Sequence, residues 1–549
     1  MKHIFGAAML AFVTLGGGAS AQDTKPLDAT ASNPVTMGWM QGFPPAADKT
    51  IRFTNPDYFA FPKLRWTVCH FRELMPSVAV RNGNDGISPL PADPDAGIDT
   101  VEFTPLGGGD PMTWDAAFNA NYTDGLLVMH KGRVVYERYD GCLDADTLHG
   151  AMSVTKSLTG LMAEVLVAEG KLDETVPMVE IIPELAGSAF ADATVAQVLE
   201  MTTALDYSED YSDPDAEVWT YAEAGSPLPK PEGYTGPRSY FEYLQTVQKN
   251  DDGHGDAFGY KTVNADAAGW LVARTAGVSA SDYLSNRIWS KIGTEREAFY
   301  TVDSLGTPFA GGGFNATLRD MARLGQLVLQ QGEWNGEQII PVAAIDRIRQ
   351  GGNKDAFAKA GYDLLPGWSY RGMWWVSHDD HGAFAARGVH GQTLWIDPTA
   401  QMVIVRFASN PVAGNATSDP TSLPAYRAVA DYLMAQDSAP QLVGREWIVE
   451  DIAGKGVIDN SPASLLFMPD GTLAGNASCN RLVATYTQDG ADLNIGTTGA
   501  TMMICPPALM EQETRLLEVL ATVSGFTTND TGALILSTGS GATITARRR

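Results

Sequence analysis

The chain has 549 residues, more than one hydrophobic core usually organises, so at least two domains are expected. Its formal net charge of -27 argues against nucleic acid or an anionic membrane surface as a partner, since both would repel it. With 44% hydrophobic residues the composition is that of an ordinary globular protein, and no apolar run is long enough to cross a bilayer.

Met1-Lys2-His3, the apolar run from Ile4 to Leu15 and the small-residue site Ala19-Ser20-Ala21 read together as a secretory signal peptide over residues 1–21. A secreted or periplasmic protein is the consequence, and stable membrane insertion is not expected. Residues 22–36 are polar with prolines and are expected to be disordered, with order beginning near Met37. Four cysteines fall two in each half of the chain, so in an oxidising compartment Cys69 is expected to pair with Cys142 and Cys479 with Cys505. Two buried free thiols remain the alternative for either pair. No Cys or His cluster has ligand spacing, so neither a metal nor another cofactor is expected.

Between residues 76 and 112 the density of Gly, Pro and Asp predicts surface loops. Gly125 to Val128 and Val134 to Arg138 are β-type runs joined by His130-Lys131-Gly132-Arg133, a hairpin that leads into Gly150-Ala151-Met152-Ser153-Val154-Thr155-Lys156. Val154, Leu158, Leu161, Met162, Val165 and Leu166 recur at helical spacing and Gly170 stops the pattern, which predicts a buried helix over about 153–169. Ser153 and Lys156 then share one face of it. A hydroxyl is a poor nucleophile until a base takes its proton, and a lysine in an apolar wall loses affinity for its own proton. Ser153 is therefore the candidate nucleophile and Lys156 its base. The bland alternative is a serine capping a helix and a solvated lysine one turn on.

Further along, the polar segment from Asp206 to Gly236 carries Tyr207, Tyr211, Trp219 and Tyr221, and is either a covering flap or a substrate-contacting loop. Tyr260 precedes a helical run from Asp266 to Ala276, where a phenol of lowered pKa can carry a proton to a leaving group. Gly311-Gly312-Gly313 and Asn315-Ala316-Thr317 introduce a helix from Leu318 to about Gln331. Trp374-Trp375, Gly388-Val389-His390-Gly391-Gln392, Leu394 to Ile396 and Met402 to Phe407 read as strands. The Gly388 strand is the candidate second wall of the site, because glycine within a strand lets another backbone or a ligand approach. As a triad base His390 lacks an orienting carboxylate, so it is placed in the substrate wall or behind it.

The order Ser153-x-x-Lys156, Tyr260 and the Gly388 strand resembles the serine-reactive family of penicillin-binding proteins and class C β-lactamases, with its 6-aminohexanoate-dimer hydrolase branch the nearest likeness. The resemblance begins at Met37-Gly38-Trp39-Met40-Gln41-Gly42-Phe43-Pro44-Pro45 and runs through Arg65-Trp66 and His70-Phe71-Arg72-Glu73-Leu74 to about Leu433. It implies an α/β fold of the α+β kind, with an antiparallel sheet and a helical subdomain. By the same resemblance Ser153 is the nucleophile, Lys156 the base and Tyr260 the proton shuttle, while the backbone N–H groups of Ser153 and Val389 form the oxyanion hole. The resemblance implies Tyr211, and Thr262 or Asn264 in the polar place after the tyrosine, as substrate-binding residues; Trp374, Gly388 and His390 on the strands of the second wall are the further candidates. The third motif reads Ala386-Arg387-Gly388 and lacks the lysine that grips a substrate carboxylate, a role left to Arg387. Ala222 stands where an acid meets a substrate ammonium, with Glu223 beside it, and Gly311 stands at a usual asparagine.

From Gly444 onward the chain changes to short alternating strands, Leu465 to Met468, Val483 to Tyr486 and Ala533 to Ser537, with one helix near Glu511 to Val523. Trp447, Gly475, Cys479-Asn480-Arg481, Tyr486 and Thr501-Met502-Met503-Ile504-Cys505 resemble the META domain, and no catalytic constellation is visible there. The expected organisation is a signal peptide (1–21), a disordered segment (22–36), a serine hydrolase domain (37–438), a linker (439–443) and a META-like domain (444–549). The expected activity is cleavage of a small amide or ester through an acyl-enzyme on Ser153. The alternatives are a β-lactamase or peptidoglycan D,D-peptidase, and a non-catalytic envelope-binding protein.

Overall fold

The computed structural model describes residues 26–548 except 84, 85, 211, 212, 439–441, 445, 462 and 530. The signal-peptide reading of residues 1–21 and part of the linker at 439–443 lie outside the described residues. The chain divides into two compact units, with the break between Tyr432 and Leu433, inside the Asp419–Ser438 helix.

The first unit is built on a seven-stranded sheet in the order Ser369–Arg371, Trp374–Val376, Phe384–Gly388, Gln392–Asp397, Met402–Ala408, Thr123–His130, Arg133–Tyr139. Neighbouring strands are antiparallel throughout. Thr123–His130 and Met402–Ala408 are buried along their whole length, which is why they read as near-continuous apolar runs rather than alternating ones. They pair from Met402 with His130 to Ala408 with Thr123. The Leu318–Leu329 helix packs on these two strands and on Gln392–Asp397, and Thr317 caps it by accepting from Asp320 N at 3.1 Å. The Val154–Ala168 helix packs against Phe384–Gly388 and against the Val263–Ala276 helix of the helical part.

A second, four-stranded sheet orders Ser77–Val80, Ala298–Thr301, Phe314–Ala316 and His149–Gly150. Its last strand runs directly into Ser153. The stretch 76–112, expected as loops, is thus partly structured: Ser77–Val80 is a strand, Ala96–Thr100 a 3-10 turn, and Glu102–Phe103 pairs with Met112–Thr113. Gly and Pro density marked its turns but hid short strands whose partners lie far along the chain. Residues 26–36 also depart from the expected disorder. They form turns with Ala29 and Ser32 buried, because the buried Arg65 guanidinium donates to Ala29 O and to Ser32 Oγ. The Asp206–Gly236 segment is not all loop: Glu217–Gly225 is a helix, and Tyr207 and Tyr221 are buried against each other and Tyr243.

The second unit is a ten-stranded antiparallel sheet that closes on itself, since Glu446–Ile452 pairs with both Ala463–Phe467 and the last strand, Thr543–Arg548. Strand Arg481–Asp489 alternates buried and exposed residues, and Leu482, Ala484 and Tyr486 turn inward onto a core with Trp447, Phe467 and Phe526. The Pro507–Leu520 helix adds Leu516 and Leu520 to that core. Both expected disulfides form, Cys69 to Cys142 and Cys479 to Cys505, with Cα atoms 6.1 and 6.0 Å apart. No helix among the described residues is long and apolar enough to cross a membrane.

Candidate active site

Ser153 stands between the His149–Gly150 strand and the Val154–Ala168 helix, and its side chain makes no capping hydrogen bond. The bland reading of Ser153 as a cap is thereby excluded. Instead its Oγ accepts a hydrogen bond of 2.8 Å from Lys156 Nζ, which also donates to Gly311 O at 2.7 Å. Lys156 is 1% exposed, and burial pushes its ammonium down to about 8, while the carboxylates of Glu209 and Asp266 pull in the other direction. Met152, just before the serine, holds a positive φ of 46°, a backbone conformation that costs energy for a residue with a Cβ and recurs at functional sites.

Tyr260 faces the same pair. Its ring covers Lys156 Nζ at 5.1 Å from the centroid and lies 5.6 Å from the ring of Trp375. The phenol is half-buried and stands above its ordinary range, chiefly because the protein around it disfavours a phenolate, although a hydrogen bond with Ser153 works the other way. This corrects the expectation of a lowered pKa: neither the Ser153 hydrogen bond nor the charge of Arg387 outweighs the loss of water, which favours the phenol over the phenolate.

Gly388 ends its strand hard against the start of the Ser153 helix. A Cβ added there would lie 2.9 Å from both Ser153 N and Ala151 O, so only glycine permits this approach. Val389, next in the chain, lines a cleft together with Ser153, Lys156 and Thr262. The walls of the cleft are mostly apolar, with Tyr58, Phe59, Phe71, Met75, Met152 and Phe309 among them.

Several expected substrate contacts are elsewhere. Trp374 is fully buried, with Nε1 donating to Ser157 O at 2.9 Å and its ring against Phe384, so it is core. Successive strand residues face opposite ways, and Trp375 is the one that meets Tyr260. Asn264 is buried, with Oδ1 accepting from Thr203 Oγ1 at 2.7 Å and Nδ2 donating to Lys261 O at 3.3 Å; it holds the turn before its helix and does not line the cleft. His390 is buried behind the cleft wall, edge-on to Phe59, with Nδ1 2.6 Å from Asn410 O and its pKa pushed down to about 4 by burial. Arg387 is not free to grip a carboxylate. It pairs with Asp419 and lies over the rings of Trp368 and Trp375 at 5.7 and 5.1 Å. Tyr211 lies outside the described residues.

Two acids escaped the sequence reading. Glu209 accepts the Thr262 N–H at 3.0 Å and faces Lys156 and Tyr260; it sits in a polar stretch without periodicity, so nothing marked it. Asp266 is 1% exposed on the Val263–Ala276 helix, and its signal was present, a lone carboxylate in the apolar run Ala265 to Val272.

Comparison with known proteins follows the same lines. The beta-lactamase family model matches residues 117–423, and the META domain model matches residues 440–549. A 6-aminohexanoate-dimer hydrolase from Paenarthrobacter ureafaciens is 34% identical over 351 residues, 64% of this chain and 86% of the relative. A solved structure from Bacillus anthracis that carries the 6-aminohexanoate-dimer hydrolase name is 31% identical, with a TM-score of 0.61 over 69% of this chain and 96% of that one. With the family model spanning more than half of the residues and a relative matched over most of its length, the chain belongs to the beta-lactamase family of hydrolases, joined here to a META domain.

Proposed function

We propose that the protein is a serine hydrolase that cleaves a small amide or ester through an acyl-enzyme on Ser153. The observation that carries this reading is the 2.8 Å hydrogen bond between Ser153 Oγ and the buried Lys156, whose proton affinity is depressed toward 8. In the neutral form Lys156 takes the Ser153 proton as Oγ bonds to the substrate carbonyl carbon. The negative oxygen so formed is held by the backbone N–H groups of Ser153, at the helix start, and of Val389, just after the Phe384–Gly388 strand. Tyr260, kept neutral, gives its phenolic proton to the departing nitrogen or oxygen and is reprotonated from Lys156. Water then enters, and the same groups run in reverse to release the acid.

The cleft walls support an uncharged, apolar acyl group as the preferred substrate, because Arg387 is already paired and Ala222 offers no carboxylate to an ammonium. Hydrogen bonds to charged groups contribute roughly 1.5 to 3 kcal/mol, so each missing partner weakens selection for a charged substrate by about one to two orders of magnitude. Short p-nitrophenyl acyl esters are therefore expected to exceed both benzylpenicillin and the linear 6-aminohexanoate dimer in kcat/KM. A charged substrate that matches the ester would show that the mapping of the cleft is wrong. Fluorophosphonate labelling with mass spectrometry is expected to place the adduct on Ser153 and to find none in Ser153→Ala; an adduct on another serine refutes the mechanism. A secreted or periplasmic location is part of this reading, and two disulfides are compatible with it.

A further inference from the structure

The loop that supplies the second partner of Lys156 is strapped between two helices. On the side of the Val154–Ala168 helix, Thr159 Oγ1 donates to Ala310 O at 3.1 Å, Lys156 Nζ to Gly311 O at 2.7 Å, and Phe314 N to Thr155 Oγ1 at 3.1 Å. On the other side stands Asp266 of the Val263–Ala276 helix. The backbone N–H groups of Ala310 and Gly311 face its carboxylate, and Tyr221 OH donates to its Oδ2. Its Oδ1 has no partner at full hydrogen-bond geometry among the described residues. Gly311 thus lies between the two, its C=O hydrogen-bonded to Lys156 and its N–H facing Asp266. No side chain fits there, since a Cβ would lie 2.4 Å from Thr262 Cγ2.

We propose that Asp266, held by Tyr221, is a positioning residue that acts on Lys156 through Gly311 and through its own negative charge; this rests on the serine-lysine reading above. Burial at 1% exposure pushes the Asp266 carboxyl up to about 7, against the hydrogen bond from Tyr221 and the Lys156 charge, so its negative charge is present chiefly above neutral pH. What Asp266 does is fix the carbonyl that orients the Lys156 amine toward Ser153 Oγ, and favour the charged amine that forms when Ser153 gives up its proton. The other groups facing Lys156 are Glu209, Ser153 and the Tyr260 ring. Tyr240 and Tyr207 face Tyr221.

The test is the pH profile of kcat/KM on p-nitrophenyl acetate, with fluorophosphonate labelling of Ser153 on the same samples. Asp266→Asn keeps the shape and removes the charge that favours the lysine ammonium. The rising acid limb is expected to move to lower pH by about one unit, with kcat lowered at the plateau. Tyr221→Phe removes only the donor to Asp266, which raises the proton affinity of that carboxyl; a smaller shift in the same direction is expected, and this variant carries the test if Asp266→Asn does not fold. An acid limb that stays in place in both variants, with Ser153 still labelled, overturns the role of Asp266 and leaves the serine mechanism standing. Failure of the parent protein to label at Ser153 overturns the mechanism itself.

Discussion

Burial lowers the proton affinity of Lys156 to about 8, so in the proposed mechanism the unprotonated, reactive fraction grows as pH rises through that region. Its neighbours keep that balance. Burial pushes the proton off, and two carboxylates on different elements restrain the push. The proposed mechanism gives Tyr260 the opposite job, since a phenol that holds its proton has one to give to a leaving group. In the proposed mechanism Lys156 and Tyr260 handle the same proton in sequence, so Lys156→Ala and Tyr260→Phe are expected to be strongly non-additive. Each alone is expected to cost on the order of a thousandfold in kcat, and the double variant little more than the worse single one. Steady-state kinetics on the four proteins decides it, and a double effect equal to the product of the singles rules out a shared relay.

At the scale of elements, the site is a junction between a strand end and a helix start. Gly388→Ala places a methyl 2.9 Å from Ser153 N and Ala151 O, so the strand must retreat from the helix. A displacement of that kind costs up to about 100-fold in kcat, and thermal melting of the variant, expected to stay near the parent value, separates this from unfolding. The elements themselves were largely legible. The helix over Val154–Ala168 and the pairing strand Thr123–His130 showed in apolar spacing, and the cysteines could be paired because each half of the chain holds only two. What was not legible was which way a side chain points within an element. Trp374 and Trp375 are one residue apart, and period-2 alternation says only that they face opposite sides; the choice is made by Ser157 O, a partner on a distant helix. Asn264 and His390 were drawn to the cleft by proximity to Tyr260 and Gly388, but each is turned inward by a buried acceptor or donor the sequence does not reveal. The cleft walls at Phe71 and Met75 were equally hidden, since aromatic and methionine residues near the start of a chain look like ordinary core.

For the whole molecule, every residue that lines the cleft lies between Tyr58 and Val389, within the first unit, and the second unit has its own closed sheet, core and disulfide. A protein ended at Ser438, which keeps the whole Asp419–Ser438 helix, is expected to retain kcat/KM on a small ester within about threefold. Loss of activity from such a protein, soluble and folded by circular dichroism, would assign the META domain a part in the reaction. The first unit has one further property that follows from its sheet. Thr123–His130 pairs on one side with its hairpin partner Arg133–Tyr139, but on the other its neighbour is Met402–Ala408, and the wall at Gly388 and Val389 comes from strands of that same late stretch. A ribosome must therefore have made nearly the entire unit before the sheet can close, and contacts so distant along the chain form late and slowly. Until that moment Ser153 has its lysine three residues away but no opposing strand. The nascent chain carries its candidate site unassembled, and the Ser153 hydroxyl gains its second wall from the last strands of the first unit rather than from the first.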